Sequence, residues 1–141
     1  MHRYTCAEAS LQALLALWKL PKSYSWATAG YLGAITSGQA SCGLLIGSSI
    51  AIGFRIGQGV KDIPELNERE RNRAIQAVSE LYSEFLKKFR SSDCKTLSEV
   101  DFVKPEEIAK WTMSRGWKTT CDVFLHFVMN KCVQMAEKGI I

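Results

Sequence analysis

The sequence predicts an all-α fold: a single domain over residues 1–141, with six to seven helices around a central glycine-rich apolar helix. Three observations predict it. Apolar residues recur at helical spacing, favoured capping residues stand where those stripes begin, and no strand alternation competes. A chain of this length has the usual size of one domain and can bury its core without staples.

The first helix starts at Thr5. Thr5-Cys6-Ala7-Glu8 fits a capping box, in which the threonine hydroxyl takes the N3 amide and Glu8 reaches back. Leu11, Leu14, Leu15 and Trp18 form its apolar stripe, and Pro21 ends it. Ser25 caps a second helix, Trp26 to Ile35, closed by Ser37-Gly38.

The third helix runs from Cys42 to Gly57 and is finished by Gly57-Gln58-Gly59. It lies in the most apolar part of the chain, since no charged side chain occurs from Ser23 to Phe54. Gly43, Gly47, Gly53 and Gly57 recur along it at spacings of four, six and four. So many glycines cost helix stability in isolation, and they make sense where other helices approach the backbone closely. The apolar pieces are each too short and too interrupted for a membrane span.

Lys61 to Pro64 reads as a loop. A fourth helix, Leu66 to Arg90, carries a stripe at Ile75, Val78, Tyr82, Phe85 and Phe89. Ser91-Ser92-Asp93-Cys94 restarts a short helical turn that ends near Val100-Asp101-Phe102. Lys104-Pro105-Glu106-Glu107 opens the next helix, with proline at N1 and acids in the first turn, and Gly116 closes it. Thr119-Thr120-Cys121-Asp122 starts the last helix, whose stripe is Leu125, Val128, Cys132 and Met135.

The charge balance excludes one function class. The formal net charge is +4, but after residue 59 the chain carries 14 basic and 13 acidic residues in an interspersed pattern. No basic stripe with interleaved aromatics exists, so nucleic acid is not an expected partner. Five cysteines, an odd number, argue against a fully paired secreted framework. With no signal peptide in view, a reducing cytoplasmic location is the expectation.

Set beside their neighbours, the cysteines show a local pattern. Cys6 follows Thr5, Cys42 follows Ser41, Cys94 follows Asp93 and Cys121 follows Thr120. Each pair is a favoured cap residue followed by a thiol at the first helical position. Free amides and the positive end of the helix dipole lower a thiol's pKa there. Brought together, four such ends would suit a metal or iron–sulfur centre held by four thiolates. They would equally suit two redox-active dithiols. Successive thiols are separated by 35, 51 and 26 residues, with no Cys-x-x-Cys, so tertiary folding must assemble any shared site. Cys132 lies mid-helix and reads as core.

These residues resemble a family, the C-GCAxxG-C-C proteins. Tyr4-Thr5-Cys6-Ala7-Glu8-Ala9 is similar to its first motif, and Cys42-Gly43-Leu44-Leu45-Ile46-Gly47 to its Cys-Gly-Ala-x-x-Gly core. Cys94-Lys95-Thr96-Leu97 with Asp101-Phe102 resembles the third motif, and Cys121 matches the fourth. Leu44 departs from the motif's alanine, and only five residues precede Cys6. The resemblance implies a helical redox-active protein with four shared cysteines, here Cys6, Cys42, Cys94 and Cys121; the leading expectation is that they bind an iron–sulfur cluster, of two-iron type, for electron transfer. A similar domain in some multihaem cytochromes is associated with such a centre. Covalent haem is not expected, because Cys-x-x-Cys-His is absent.

Two alternatives stand beside it: thiol–disulfide chemistry by the same cysteines, and a non-catalytic helical interaction module with buried thiols. The expected partner is a redox protein not identified by sequence. The short N-terminus and glycine-rich helix are compatible with a homodimer. His126 reads as a structural histidine, His2 as terminal, and Glu8, Asp101 and Asp122 as caps or surface charges.

Overall fold

The computed structural model describes residues 4–31, 39–58, 60 and 64–141, with backbone alone for 64–66. The described residues form helices throughout, joined by short connections, and the all-α expectation holds.

Helix α1 (Cys6–Leu17) begins at the predicted box: the Glu8 amide donates to Thr5 Oγ1 at 3.2 Å and the Thr5 amide donates to Glu8 Oε2 at 2.8 Å. It buries Ala7, Ser10, Leu11, Leu14 and Leu15. Its end precedes Pro21. Lys19 takes a left-handed conformation (φ 58°), and the Leu20 amide returns to the Leu15 carbonyl at 2.8 Å, closing the last turn.

A 3₁₀ helix, Lys22–Thr28, follows. Helical structure here therefore starts three residues before the expected Ser25 cap, with Ser25 inside it. The 3₁₀ helix stops at Thr28, and Ala29 to Tyr31, expected to continue it, form a turn instead. The rest of that expected helix, with its Ser37-Gly38 end, lies outside the described residues, as do His2, Gly59 and 61–63 of the expected loop. Tyr24 stacks on Phe54 with ring centroids 4.5 Å apart, fixing the 3₁₀ helix against the next element.

Helix α2 (Gly43–Gly57) is the central one, packed by α1 on one side and by later helices on others. Its glycines do not act alike. Gly47 lies against the Ala7 backbone and the Ser10 hydroxyl, so α1 crosses directly on it. The close contacts expected of these glycines are made at Gly43 and Gly47, while Gly53 and Gly57 have open space around them.

Helix α3 (Pro64–Phe89) buries Ala77, Leu81 and Phe85. Ile75, expected on the core face, is 65% exposed, because the buried face is centred on the four-residue repeat 77-81-85 and Ile75 falls on its flank. Helix α4 (Cys94–Ser98) is a short turn, capped by Asp93 and stopped by left-handed Glu99. Helix α5 (Pro105–Ser114) starts at proline as expected and ends at left-handed Arg115. A π turn, Trp117–Cys121, runs directly into α6 (Asp122–Glu137).

The core joins α1, α2, α3 and α6. Phe85, Phe89, Phe124 and Phe127 pack edge-on at the α3–α6 junction. Arg73 of α3 donates to the carbonyls of Ile140 (2.8 Å) and Gly139 (3.0 Å), tying down the chain beyond α6. Among the described residues the only strand-like pairing is an isolated bridge, Ser41 with Asp93. No described helix is long and apolar enough to cross a membrane.

Candidate functional site

Three local devices bring four of the five cysteines to one end of the bundle. The first is the crossing of α1 on α2. A Cβ on Gly43 would stand 3.0 Å from the Ala7 nitrogen and 3.1 Å from the Cys6 Cβ, so the missing side chain lets the two helix starts meet. The second is the Ser41–Asp93 bridge. The Cys42 amide donates to the Ser92 carbonyl at 2.7 Å and the Cys94 amide to the Ala40 carbonyl at 2.8 Å, which sets these cysteines side by side. The third is the π turn, which carries Cys121 to Cys6.

The cap-then-thiol pattern holds at two of the four positions. Cys6 and Cys94 are first helical residues behind Thr5 and Asp93, and the Asp93 carboxylate accepts from the Thr96 amide at 2.8 Å. At α2 the cap residue is Cys42 itself, not Ser41. At Cys121 the pattern fails. Its backbone is already helical (φ −74°, ψ −26°), and the Thr119 hydroxyl donates back to the Gly116 carbonyl at 3.0 Å instead of capping the turn after it. The π turn makes Trp117–Glu137 continuous, so no helix start is free at Cys121.

Burial and mutual charge then separate the thiols. Cys6 is exposed. Hydrogen bonding with the neighbouring Cys121 thiol pulls the Cys6 pKa down to about 7 against the opposing effect of burial. Cys121 is pushed strongly up by that same hydrogen bond to Cys6, then by burial and by the charges of Cys6, Cys42 and Cys94. Burial lifts Cys42 to about 11, although the Leu44 and Leu45 amides favour its thiolate. Burial and the Cys42, Cys6 and Asp93 charges lift Cys94 to about 12. These four sense one another. Cys132, 0% exposed, is raised to about 12 by burial alone and belongs to the core, as its sequence position implies.

These shifts make stability depend on pH. Between pH 7 and 9 the unfolded chain keeps a proton that native Cys6 has lost, so Cys6 makes stability rise with pH. As pH rises through about 9 the unfolded thiols ionise while native Cys42, Cys94, Cys121 and Cys132 stay protonated, so stability falls. Denaturant unfolding of fully reduced protein is expected to give a midpoint that climbs above pH 7 and then declines. The turnover falls at roughly pH 8 to 8.5, where four raised thiols outweigh one lowered thiol. A midpoint still climbing from pH 9 to 11 would contradict the arrangement.

Cys6 and Cys121 open into a cavity of about 890 Å³, walled by Leu44, Trp111 and Trp117, with Arg115 and Lys118 on the same side. Gly116 lies directly under the Trp111 indole, and a Cβ there would collide with it. Arg115 holds a left-handed conformation (φ 54°) that turns the chain from α5 into this wall. Sequence reading missed the wall. Its signal is visible in retrospect: two tryptophans around a glycine, with Arg115 and Lys118 interleaved, four residues or so before a cysteine.

Tyr31 also escapes sequence reading, and Tyr82 reads only as part of an apolar stripe. The Tyr31 hydroxyl donates to the Ser41 carbonyl at 2.7 Å, supporting the bridge that holds Cys42 and Cys94. Tyr31 and Tyr82 are both raised in pKa, first by burial. Of the other expected residues, Glu8 completes the α1 cap and Asp101 pairs with Lys95 at 2.9 Å. Asp122 lies at the cavity edge. His126, expected as a structural histidine, is exposed on α6.

All five cysteines are free thiols. Among the described residues no three of His, Cys, Asp and Glu stand together as a group that could hold a single metal ion. A family model described as "Putative redox-active protein (C_GCAxxG_C_C)" matches residues 4–135. No curated protein and no solved structure matches the chain.

Proposed function

Because the chain belongs to the C_GCAxxG_C_C family, named for redox activity, we propose that Cys6 and Cys121 form a dithiol that exchanges electrons with a disulfide. One observation carries this reading: an exposed thiol, Cys6, beside a second and less exposed thiol, Cys121, on the lining of one cavity. The exposed member of such a pair attacks, and the covered member resolves.

The steps balance. The Cys6 thiolate attacks one sulfur of the substrate disulfide, forming a mixed disulfide and expelling one thiolate. Cys121 passes its proton to that thiolate and attacks the Cys6 sulfur, expelling the second. Two electrons leave the protein thiols and reduce the substrate, and a Cys6–Cys121 disulfide remains. A pKa near 7 leaves about half of Cys6 as thiolate at neutral pH, where an attacking thiol is most effective.

Rates of alkylation measured against pH, with the modified residue identified by mass spectrometry, test this. Cys6 is expected to be labelled first, with a midpoint near pH 7. Mild oxidation is expected to remove two countable thiols, restored by a dithiol reductant. A midpoint near 9, or oxidation that leaves every thiol countable, would sink the reading.

A second reading rests on the convergence of Cys42 and Cys94 on the same end. Four cysteine sulfurs are the donor set of an iron–sulfur centre, and a two-iron centre takes thiolates in pairs instead of three at one ion. A positive core would also offset the burial and the mutual repulsion that keep Cys42, Cys94 and Cys121 protonated. Cys6, Cys42, Cys94 and Cys121 would hold the centre, which supplies one-electron transfer when bound. Iron and acid-labile sulfide in protein purified without oxygen, with visible absorption, would favour this reading; colourless, iron-free protein after expression with cluster supply would exclude it.

A further inference from the structure

We infer that the cavity beside Cys6 and Cys121 takes a small anionic disulfide, its negative group held by Arg115 and Lys118 and its body lying between Trp111 and Trp117. The inference rests on the dithiol reading and names the substrate class.

The cavity argues for a small molecule. Its volume of about 890 Å³ falls in the range of clefts that enclose small ligands, roughly 300–1,000 Å³. Its walls are largely apolar and built from broad indole rings, one of them fixed in place on Gly116. The backbone supports that wall, because Gly116 is buried and leaves no room for any side chain.

Charge argues for an anion. Arg115 and Lys118 are exposed to the cavity side, and neither enters an ion pair with a described residue. The one carboxylate on the same lining is Asp122, and with the Cys6 thiolate counted the lining is neutral in the reacting state, so the anchor is the position of the two cations, not a net charge. Arg115 adjoins Gly116 and Lys118 adjoins Trp117, within the segment that also delivers Cys121. A disulfide carrying a carboxylate would find its anchor and its reacting sulfur on one wall.

Reaction with three symmetrical disulfides tests this: anionic dithiodipropionate, neutral hydroxyethyl disulfide and cationic cystamine. Second-order rates of Cys6–Cys121 oxidation are divided by the rates of mercaptoethanol with the same reagents, which removes leaving-group differences. The expected result is a normalised anionic-to-cationic ratio of about ten. In the double variant Arg115→Gln, Lys118→Gln that ratio is expected to fall to about one or below, while circular dichroism checks that the helices remain. An equal ratio for all three reagents in the wild type, or an undiminished ratio in the folded double variant, would overturn the inference and leave the dithiol reading standing. If none of the three oxidises the pair, the dithiol reading falls and the inference with it.

Discussion

Cys121→Ala is expected to abolish two-electron oxidation and to move the Cys6 alkylation midpoint from about 7 up to 9 or beyond. Cys121 is the largest influence holding the Cys6 pKa down, and burial, which acts the other way, remains after the change. The thiolate fraction at pH 7 then falls from about one half to about one in a hundred. A more basic thiolate is the better nucleophile, by about tenfold over two pKa units. The net alkylation rate at pH 7 therefore drops by only about fivefold, so the pH profile is the decisive reading, not the rate at one pH. Cys121→Ser separates the two roles. Its hydroxyl can still donate, so the midpoint is expected to stay nearer 7 although no intramolecular disulfide forms. Cys132→Ala serves as the control: it empties a core position at a cost of about 1 kcal/mol and leaves the Cys6 midpoint where it was. If Cys121→Ala keeps the midpoint at 7, the pair is not what tunes Cys6.

Gly47→Val is expected to cost about 3 kcal/mol or more, the upper end for an overpacked contact. A Cβ at this position meets the carbonyl group of Ala7 and the Ser10 hydroxyl. The Ala7 carbonyl is part of a helix and cannot swing aside as a long side chain does. Relief requires α1 to lift from α2, and α1 begins at Cys6. Loss of stability in denaturant should therefore be accompanied by a changed Cys6 reactivity in whatever protein remains folded. Gly53→Ala is the comparison on the same helix. That site is exposed and open, so the substitution should be neutral or stabilising, by up to about 1 kcal/mol of helix propensity. Equal effects at the two positions would mean that the close crossing of α1 on α2 is wrong.

The same contrast shows how much of the molecule was legible in the chain. The capping box at Thr5, the proline entry at Pro105 and the Asp93 cap are written within four residues of sequence, and each appears as read. The core position of Cys132 follows from helical spacing alone. Local rules erred where a neighbour overrode them. Ile75 fits an apolar stripe, yet the face that α3 buries is chosen by the helices it meets. Thr119-Thr120 has the composition of a helix start, yet the chain arrives there already helical from Gly116.

What the sequence by itself determined is therefore the set of parts: an all-helical chain, its strong caps, and four thiols, three of them at helix starts, in the order of a known family. Those features depend on contacts between residues a few positions apart, which spacing records directly. Only the tertiary structure decided that Cys6 lies beside Cys121, that Cys42 lies beside Cys94 through the Ser41–Asp93 bridge, and that Trp111, Arg115 and Trp117 wall a cavity at the first two thiols. Those relations join residues tens of positions apart. They arise from which glycine lets which helix approach, and no local period encodes that.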